Sequence, residues 1–329
     1  MRFKFLLPSL ITVLAMFGAF LPFKTQASSP DDITVITVPE NPAPNQNTAI
    51  TLSSYVDDLN SVLITWSVNG KKSSSGIGDK SFSLNAPSSL GGKTTVVATI
   101  SLYDGDLNET VVLKPSIMTV LWQADDSYVP PFYKGKALPS SGSEIKIVAI
   151  PEIKNGSSFV NPNNMVYNWQ LDYQNQPDAS GYGKDFFSYQ NDYLDSSNTA
   201  SVTASTLNQQ NSTDGSITVT PTAPKIEFYK NDPILGTIWD QAIPDGYKTF
   251  GNETLQAAPY SIFPKDLNLP LLTFNWSIND TQTPTPIYKK YLLPLQTQTG
   301  VSGTAKISLN ITNPSSLTDT ASRDININF

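Results

Sequence analysis

The sequence of 329 residues contains no cysteine and no histidine. The absence of cysteine excludes disulfide bonds, thiolate catalysis and iron–sulfur clusters. The absence of histidine excludes Ser-His-Asp and Cys-His catalytic arrangements, an imidazole general base and a histidine-bound zinc. A glycosidase that uses a pair of carboxylates needs neither residue, but the acidic residues are scattered over predicted loops rather than gathered around one cleft. We therefore predict a protein that is not an enzyme.

Arginine is almost absent, and the charge balance is acidic. Residues 1–27 contain Arg2, Lys4 and Lys24 but no acid, so their removal would leave 18 of the 21 basic residues against 28 acidic ones and change the net charge from −7 to −10. Arg323 would then be the single arginine. Such a surface repels nucleic acid and anionic lipid, and it offers little material for bidentate phosphate recognition. We expect no nucleic-acid partner.

The amino-terminal segment has the features of an export signal. Arg2 and Lys4 precede an apolar stretch over residues 5–21, and the small residue Ala27 offers a cleavage point before the polar residues 28–30. An uncleaved membrane anchor is the alternative, because the apolar stretch is about as long as a short spanning helix. We expect cleavage, no membrane insertion of the remaining chain, and a secreted or cell-surface location outside the cytoplasm.

Signals for long helices are also nearly absent, and 25 prolines and 18 glycines interrupt the chain. Instead, apolar side chains alternate with threonine, serine, lysine or asparagine, as in half-buried β-strands, over residues 62–68, 94–102, 144–150 and 304–311. We predict an all-β fold. Without disulfides each domain needs a hydrophobic core of ordinary size, which three domains of about 100 residues would provide.

One sequence motif recurs three times. Each copy is a short alternating strand with a central tryptophan, at Trp66, Trp169 and Trp276, and these tryptophans are 103 and 107 residues apart. Two further predicted strands follow each tryptophan after about 30 and about 50 residues, which is the layout of strands C, F and G in an immunoglobulin-like sandwich. We predict that the three tryptophans are the centres of three structural cores.

The repeat predicts three tandem immunoglobulin-like β-sandwich domains after a signal peptide. The last strand of one copy runs into proline at residues 113–116 and again at residues 220–224. Proline stiffens such short links, so we expect a semi-rigid rod. The predicted boundaries are 1–27 for the signal peptide, 28–116 for a first domain that is immunoglobulin-like or PKD-like, 117–222 for the second domain and 223–329 for the third.

The segments around these motifs resemble modules of bacterial surface proteins. The Trp66 strand followed by SLYDGDLNET resembles PKD and immunoglobulin-like modules. The segments TVLWQADDSYVPPFYKGKALP, APKIEFYKNDPILG and DININF resemble a family of exported tandem immunoglobulin-like proteins from small-genome bacteria. The resemblance spans nearly the whole chain after the signal. It implies the fold and the extracytoplasmic location, and it implies no catalytic residue and no ligand.

Two acidic clusters of the first domain form the candidate metal site, and Ca²⁺ is the only cofactor that the sequence suggests. Asp57 and Asp58 precede the first tryptophan strand, whereas Asp104, Asp106 and Asn108 lie between the last two predicted strands. The B–C and F–G loops of this fold share one end, so the clusters could converge and offer the oxygen ligands that Ca²⁺ requires. The alternative is an ordinary solvated Asp-Gly hairpin turn.

The same end of the first domain is a candidate partner-binding surface. After cleavage of the signal it would be the free tip of the rod, which is the position that variable domains use for recognition. We expect Tyr55 and the neighbouring aspartates to contact a partner there.

A second candidate surface is an aromatic and proline-rich loop at residues 127–139, which contains Tyr128, Phe132 and Tyr133. Such side chains could stack on sugar rings or pack at a junction between domains. Aligning Pro115 with Pro221 gives the loop a counterpart in the third domain, which predicts a packed insertion that clamps the junction with that domain. The counterpart would face outward and expose an apolar docking patch of Ile234, Leu235, Ile238 and Trp239.

Together these features predict a non-catalytic extracellular or cell-surface scaffold or adhesion protein that presents immunoglobulin-like modules for protein–protein interaction. An extracellular protein or an envelope assembly is the expected partner. Two alternatives stay open: an accessory protein that binds polysaccharide, and a pilus or envelope assembly component that lends an edge strand to its partner.

Overall fold

The computed structural model describes residues 29, 32–269, 272–297, 300–314 and 316–329. The predicted export signal lies outside the described residues. The described part contains 26 β-strands and two short 3-10 helices, at Pro162–Asn164 and Ile287–Lys289, which confirms the all-β prediction. No helix in those ranges is long and apolar enough to cross a membrane.

Seven strands near the amino terminus form two antiparallel sheets, which we call the first sandwich. The strands are β1 (Ile33–Val38), β2 (Asn47–Ser54), β3 (Leu63–Val68), β4 (Lys71–Ile77), β5 (Ser81–Asn85), β6 (Thr94–Leu102) and β7 (Gly105–Leu113). One sheet has the order β1-β2-β5 and the other β4-β3-β6-β7. Period-two alternation turns Ile50, Ile64 and Ile100 inward, and these residues share one buried cluster between the sheets.

The next ten strands form the second sandwich. They are β8 (Ile117–Ala124), β9 (Glu144–Glu152), β10 (Lys154–Asn155), β11 (Ser158–Phe159), β12 (Met165–Leu171), β13 (Gln174–Asn175), β14 (Gly181–Tyr182), β15 (Phe186–Gln190), β16 (Asn198–Thr206) and β17 (Ser212–Val219). The two main sheets have the orders β15-β9-β8 and β13-β12-β16-β17, with β14 also on β12, while β10 and β11 pair separately. Ile145, Ile147 and Met165 belong to the buried cluster between them.

The last nine strands form the third sandwich. They are β18 (Lys225–Asp232), β19 (Gly236–Ala242), β20 (Tyr247–Lys248), β21 (Glu253–Tyr260), β22 (Thr273–Ile278), β23 (Thr281–Thr283), β24 (Leu292–Leu295), β25 (Thr304–Asn313) and β26 (Ser316–Asn328). The sheets have the orders β19-β18-β21-β24 and β20-β26-β25-β22-β23. Phe228, Leu293 and Ile311 lie in the buried cluster between them.

The predicted strand pairing is present in all three sandwiches. Each tryptophan strand pairs with the strand predicted about 30 residues later, and that strand pairs with the last one, in the triplets β3-β6-β7, β12-β16-β17 and β22-β25-β26. This pairing defines the chain as an all-β protein built from immunoglobulin-like sandwiches. The connections of residues 114–116 and 220–224 lie between consecutive sandwiches, where the sequence places the boundaries. The boundaries themselves stay predictions.

The three core tryptophans share a hydrogen-bond arrangement that the sequence motif does not reveal. Trp66, Trp169 and Trp276 are almost completely buried, with at most 1% of their reference area exposed. Each indole N–H donates to a backbone carbonyl 13 to 15 residues later in the chain, at 2.8 to 2.9 Å. Each ring also lies 5.3 to 5.8 Å from a phenylalanine ring. A buried indole donor requires such a partner, so the arrangement fixes the connection that follows each tryptophan strand.

Candidate functional site

Two exposed tyrosines lie at one end of the first sandwich. Tyr55 follows β2, and Tyr103 lies in the turn between β6 and β7. Leu63 at the start of β3 pairs with Ser101 near the end of β6, so the B–C loop and this turn share one end of the sandwich. Both tyrosines are fully exposed, at 101% and 102% of the reference area. We call this end, formed by residues 55–62 and 103–104, the tip.

The tip faces away from the second sandwich and carries further apolar surface. The contacts with the second sandwich come from Asn41 and Lys114, which follow β1 and β7 at the opposite end. At the tip end, Val56 is 67% exposed and Ile77, which ends β4, is 74% exposed. Exposed apolar side chains that cluster in this way are typical of an interaction surface.

Aspartates make the tip acidic. The Oδ1 atom of Asp58 accepts hydrogen bonds from the backbone and side-chain amides of Asn60, at 3.1 and 2.9 Å. These bonds lower the pKa of Asp58, so its carboxylate is charged at neutral pH. Asp57 is half-buried beside it, and Asp104 is exposed in the turn.

The loop predicted between the last two strands of the first sandwich is shorter than expected. Strand β7 begins at Gly105, so Asp106 and Asn108 lie on the strand, and the turn consists of residues 103 and 104. Asn108 accepts a hydrogen bond from Thr99 on β6 through its Oδ1 atom at 2.6 Å. Within the described ranges, no group of three or more acidic side chains has a spacing that could hold a metal ion. The calcium prediction therefore gains no support from the geometry.

The loop between β8 and β9, residues 125–143, contacts the third sandwich; we call it the clamp loop. The backbone amide of Tyr128 donates to the carbonyl of Ile262 at 2.8 Å, and the amide of Ser261 donates to the carbonyl of Tyr128 at 2.9 Å. The Oδ1 atom of Asp126 accepts from the backbone amide of Lys265 at 3.0 Å. The Tyr128 ring packs against the core cluster of the third sandwich. This is the contact that the clamp interpretation of the sequence predicts.

Aromatic residues extend this contact across the outer face of β18 and β21. The ring of Tyr133 lies 5.7 Å from the ring of Tyr260 in an edge-to-face arrangement. The Tyr260 hydroxyl is hydrogen-bonded to the Tyr229 hydroxyl at 2.5 Å, and burial raises the pKa of Tyr260. Phe132, the third aromatic residue of the loop, is 85% exposed. The loop therefore contacts the third sandwich through both Tyr128 and Tyr133.

The counterpart of the clamp loop in the third sandwich is only partly exposed. It folds into β19, which returns along β18 as an antiparallel hairpin. Ile234 and Leu235 at the hairpin turn are 91% and 76% exposed, as the docking prediction requires. Ile238 and Trp239 are half-buried, and the Trp239 ring lies 5.1 Å from the ring of Tyr229, beside the clamp loop. The docking patch of these four residues stays a prediction.

The junction between the first and second sandwiches is polar. The Nδ2 atom of Asn41 donates to Asp214 at 2.7 Å, and the Oδ1 atom of Asn41 accepts from the Ser212 hydroxyl at 2.7 Å. The Nζ atom of Lys114 donates to the side chain of Asn211 at 3.0 Å. These contacts surround an open cleft of about 390 Å³ that the sequence did not predict.

Two components of these surfaces were missed in the sequence. Tyr103 had a detectable signal, because it directly precedes an Asp-Gly pair at a predicted F–G turn, where a side chain is exposed. The Tyr229–Tyr260 pair had none, since the two residues lie on separate strands whose register follows from the fold.

No family model and no curated protein sequence matches the chain. Among solved structures, the chain is similar to fibronectin(III)-like modules of Clostridium thermocellum CbhA, with 16% identity, a TM-score of 0.27, and coverage of 58% of this chain and 94% of that chain. It is also similar to three N-terminal domains of the bacteriophage RB49 Hoc capsid protein, with 10% identity, a TM-score of 0.24, and coverage of 90% and 97%.

Immunoglobulin domains 1–4 of Sidekick-1 are a third similar structure, with 11% identity, a TM-score of 0.20, and coverage of 90% of this chain and 74% of that chain. TM-scores this low support no inference about function. The fold of the chain is therefore defined by its own sheet topology.

Proposed function

We propose that this chain is a non-catalytic, extracytoplasmic scaffold or adhesion protein that binds a partner protein through its tip. The observation that carries the proposal is the pair of fully exposed tyrosines, Tyr55 and Tyr103, on two loops of one sandwich end. Tyrosine is enriched at protein interfaces because its rigid ring covers a large area at a low cost in conformational entropy. Such rings are frequent binding hot spots.

The charge of the tip narrows the chemistry of the partner. Asp57, Asp58 and Asp104 belong to the tip, and Asp106 follows at the start of β7. An acidic rim around exposed aromatic rings is complementary to a surface that carries lysine or arginine beside apolar side chains. The successive sandwiches would hold this surface away from the rest of the chain. The extracytoplasmic location is supported by the sequence of residues 1–27.

A photo-crosslinking experiment tests the proposal. The chain from residue 28 onward is produced with p-benzoylphenylalanine at Tyr55 or at Tyr103 and illuminated with the surface fraction of the cells that export it. We expect one protein to be crosslinked from both tip positions. The purified partner should then bind the unmodified chain, and the double variant Tyr55→Ser/Tyr103→Ser should bind at least about tenfold more weakly.

Tyr173 provides the matched control, because it is 92% exposed and lies in the turn after β12 of the second sandwich, whereas the tip belongs to the first sandwich. The photo-crosslinker at Tyr173 should not capture the same protein, and Tyr173→Ser should leave the affinity unchanged. Equal capture from Tyr173 and the tip, or equal affinity of the double variant and the unmodified chain, would contradict the proposal.

A further inference from the structure

An open pocket of about 330 Å³ lies where the clamp loop meets the third sandwich. Three aromatic residues line it: Tyr128 from the clamp loop, Trp239 from β19, and Tyr291, which precedes β24. Pockets of this size at the boundary between two folded units are typical sites for small ligands. The pocket is separate from the tip and does not depend on the proposed function.

The aromatic walls are held in place before any ligand arrives. The Trp239 ring is packed against Tyr229, at 5.1 Å between ring centres. The main chain at Tyr128 is fixed by two backbone hydrogen bonds, to Ser261 and Ile262. Tyr128 and Tyr291 both pack against the core cluster of the third sandwich. A ligand that stacks on these rings therefore has little side-chain motion to arrest, which favours binding.

Polar groups occupy the remaining wall. Gln256 is 8% exposed and lines the pocket from β21. Asp266 and Asn268 belong to an exposed loop, where the Oδ1 atom of Asp266 accepts from the backbone amide of Asn268 at 2.9 Å. The same loop is anchored to the clamp loop, because Lys265 donates its backbone amide to Asp126. Gln256, Asp266 and Asn268 therefore line the pocket together with the aromatic rings, and the Gln256 carboxamide is oriented by hydrogen bonds to Ala257 and Thr237.

The charges of the pocket balance. Lys265 and Asp266 carry opposite charges and both line it. The pocket therefore has no net positive charge to attract an anionic ligand such as a phosphate, and the carboxylate would repel it. The polar groups would lose their hydration without replacement if a purely apolar ligand covered them. A neutral ligand with apolar C–H faces and a rim of hydroxyl groups satisfies both conditions, because its faces stack on the rings and its hydroxyls bond to the amides and the carboxylate.

We propose that this pocket binds a neutral saccharide of one or two pyranose rings. The aromatic rings of Trp239, Tyr128 and Tyr291 supply the stacking surfaces. The side chains of Gln256, Asp266 and Asn268 supply hydrogen-bonding groups for the hydroxyls. Because the pocket has walls from two sandwiches, the saccharide also bridges the junction between them.

The test uses the chain from residue 28 onward and four probes: cellobiose, maltose, lactose and N,N′-diacetylchitobiose. Each is titrated up to about 50 mM by calorimetry and by tryptophan fluorescence, and at least one should bind saturably with a Kd of about 1 mM or tighter. Trp239→Ala and Asn268→Ala should each weaken that binding about tenfold. Asn268 is exposed, so its variant keeps the protein folded even if the tryptophan variant does not.

Tyr173→Ala is the matched control, because Tyr173 is an aromatic residue of the second sandwich that is 92% exposed and does not line the pocket. Its affinity for the probe should equal that of the unmodified chain. Three results would overturn the proposal: no saturable binding of any of the four disaccharides, binding that both pocket variants leave unchanged, or binding that Tyr173→Ala weakens as much as Asn268→Ala does.

Discussion

The two junctions between consecutive sandwiches are built from different chemistry. Between the first and second sandwiches, Asn41 and Lys114 make side-chain hydrogen bonds at exposed or half-buried positions. Between the second and third, Tyr128 buries its ring against a hydrophobic core and pairs its backbone with Ile262. The first junction is therefore polar, whereas the second is apolar and linked through the backbone.

This difference determines how strongly neighbouring sandwiches are coupled. Exposed polar contacts each contribute about 1 kcal/mol or less, because water competes for the same donors and acceptors. An aromatic ring removed from water contributes more, about 1.5 to 3 kcal/mol. We therefore expect the second and third sandwiches to move as one body, and the first to change its angle relative to them.

The largest effect is expected from Tyr128→Ala. The substitution removes a half-buried ring from the second–third junction and should lower the free energy of unfolding of the third sandwich by about 2 kcal/mol. The second and third sandwiches should also cease to unfold together. Differential scanning calorimetry of the chain from residue 28 onward would show one transition separating into two.

Tyr173→Ala is the control for this experiment, because Tyr173 is almost fully exposed in the turn after β12. Its calorimetric profile should match that of the unmodified chain. A loss below about 0.5 kcal/mol for Tyr128→Ala, the size expected of an ordinary surface substitution, would show that the ring does not couple the two sandwiches.

Alkaline pH should weaken the second–third junction. Burial is the main cause that raises the pKa values of Tyr128 and Tyr260 above their ordinary value of 10. The folded state therefore favours the neutral phenols, so their stabilising effect is complete below about pH 10 and is lost as the pH rises through the folded-state values. The melting temperature of the third sandwich should fall steeply above about pH 10.

Phenylalanine variants distinguish the ionisation of the junction tyrosines from the ionisation of other tyrosines in the chain. Tyr128→Phe/Tyr260→Phe should give a shallower fall of that melting temperature with pH, because fewer phenols ionise on unfolding. Tyr167, in the core of the second sandwich, has a pKa raised to about 12 by burial and by the charge of Asp185. The second sandwich is therefore also expected to lose some stability at alkaline pH. An identical slope for the double variant and the unmodified chain would contradict the role of the junction tyrosines.

The smallest effect is expected from Asn41→Ala at the first junction. Two hydrogen bonds to the second sandwich are lost, but both lie where water can replace them. Chemical denaturation should show that the free energy of unfolding decreases by at most about 1 kcal/mol. A loss of about 2 kcal/mol would show that the two junctions stabilise the chain equally, which would contradict the expected difference.

The sequence predicts the three tryptophan strands and their partners because period-two alternation and a rare residue at a fixed spacing survive between copies. Strand β6 occupies the predicted residues 94–102. Short edge strands such as β13 and β23 have only two or three residues, so no period could be detected in them. The acidic segment after Asp104 has the pattern of a loop, because its polar residues hide the alternation around the buried residue Leu107.

A few residues explain why the clamp loop and its counterpart in the third sandwich have different structures. Gly236 has a φ of +76° and closes the β18–β19 hairpin, and Thr237 pairs with Asn231. The second sandwich has Pro130 and Pro131 at the aligned positions, and proline cannot donate a backbone hydrogen bond to a neighbouring strand. The clamp loop therefore stays irregular and contacts the third sandwich. The sequence alignment shows the substitution and predicts the contact of the clamp loop with the third sandwich, but it does not show that the counterpart folds back along β18.

The most direct test of unequal coupling uses spin labels, and the absence of natural cysteine simplifies it. Labels at exposed positions through Ser73→Cys and Ser188→Cys span the first junction, and Ser188→Cys with Thr281→Cys spans the second. Double electron–electron resonance should give a narrow distance distribution across the second junction and a broader one across the first, and Tyr128→Ala should broaden the narrow one. Equal widths across the two junctions, or a broader distribution across the second, would contradict the account.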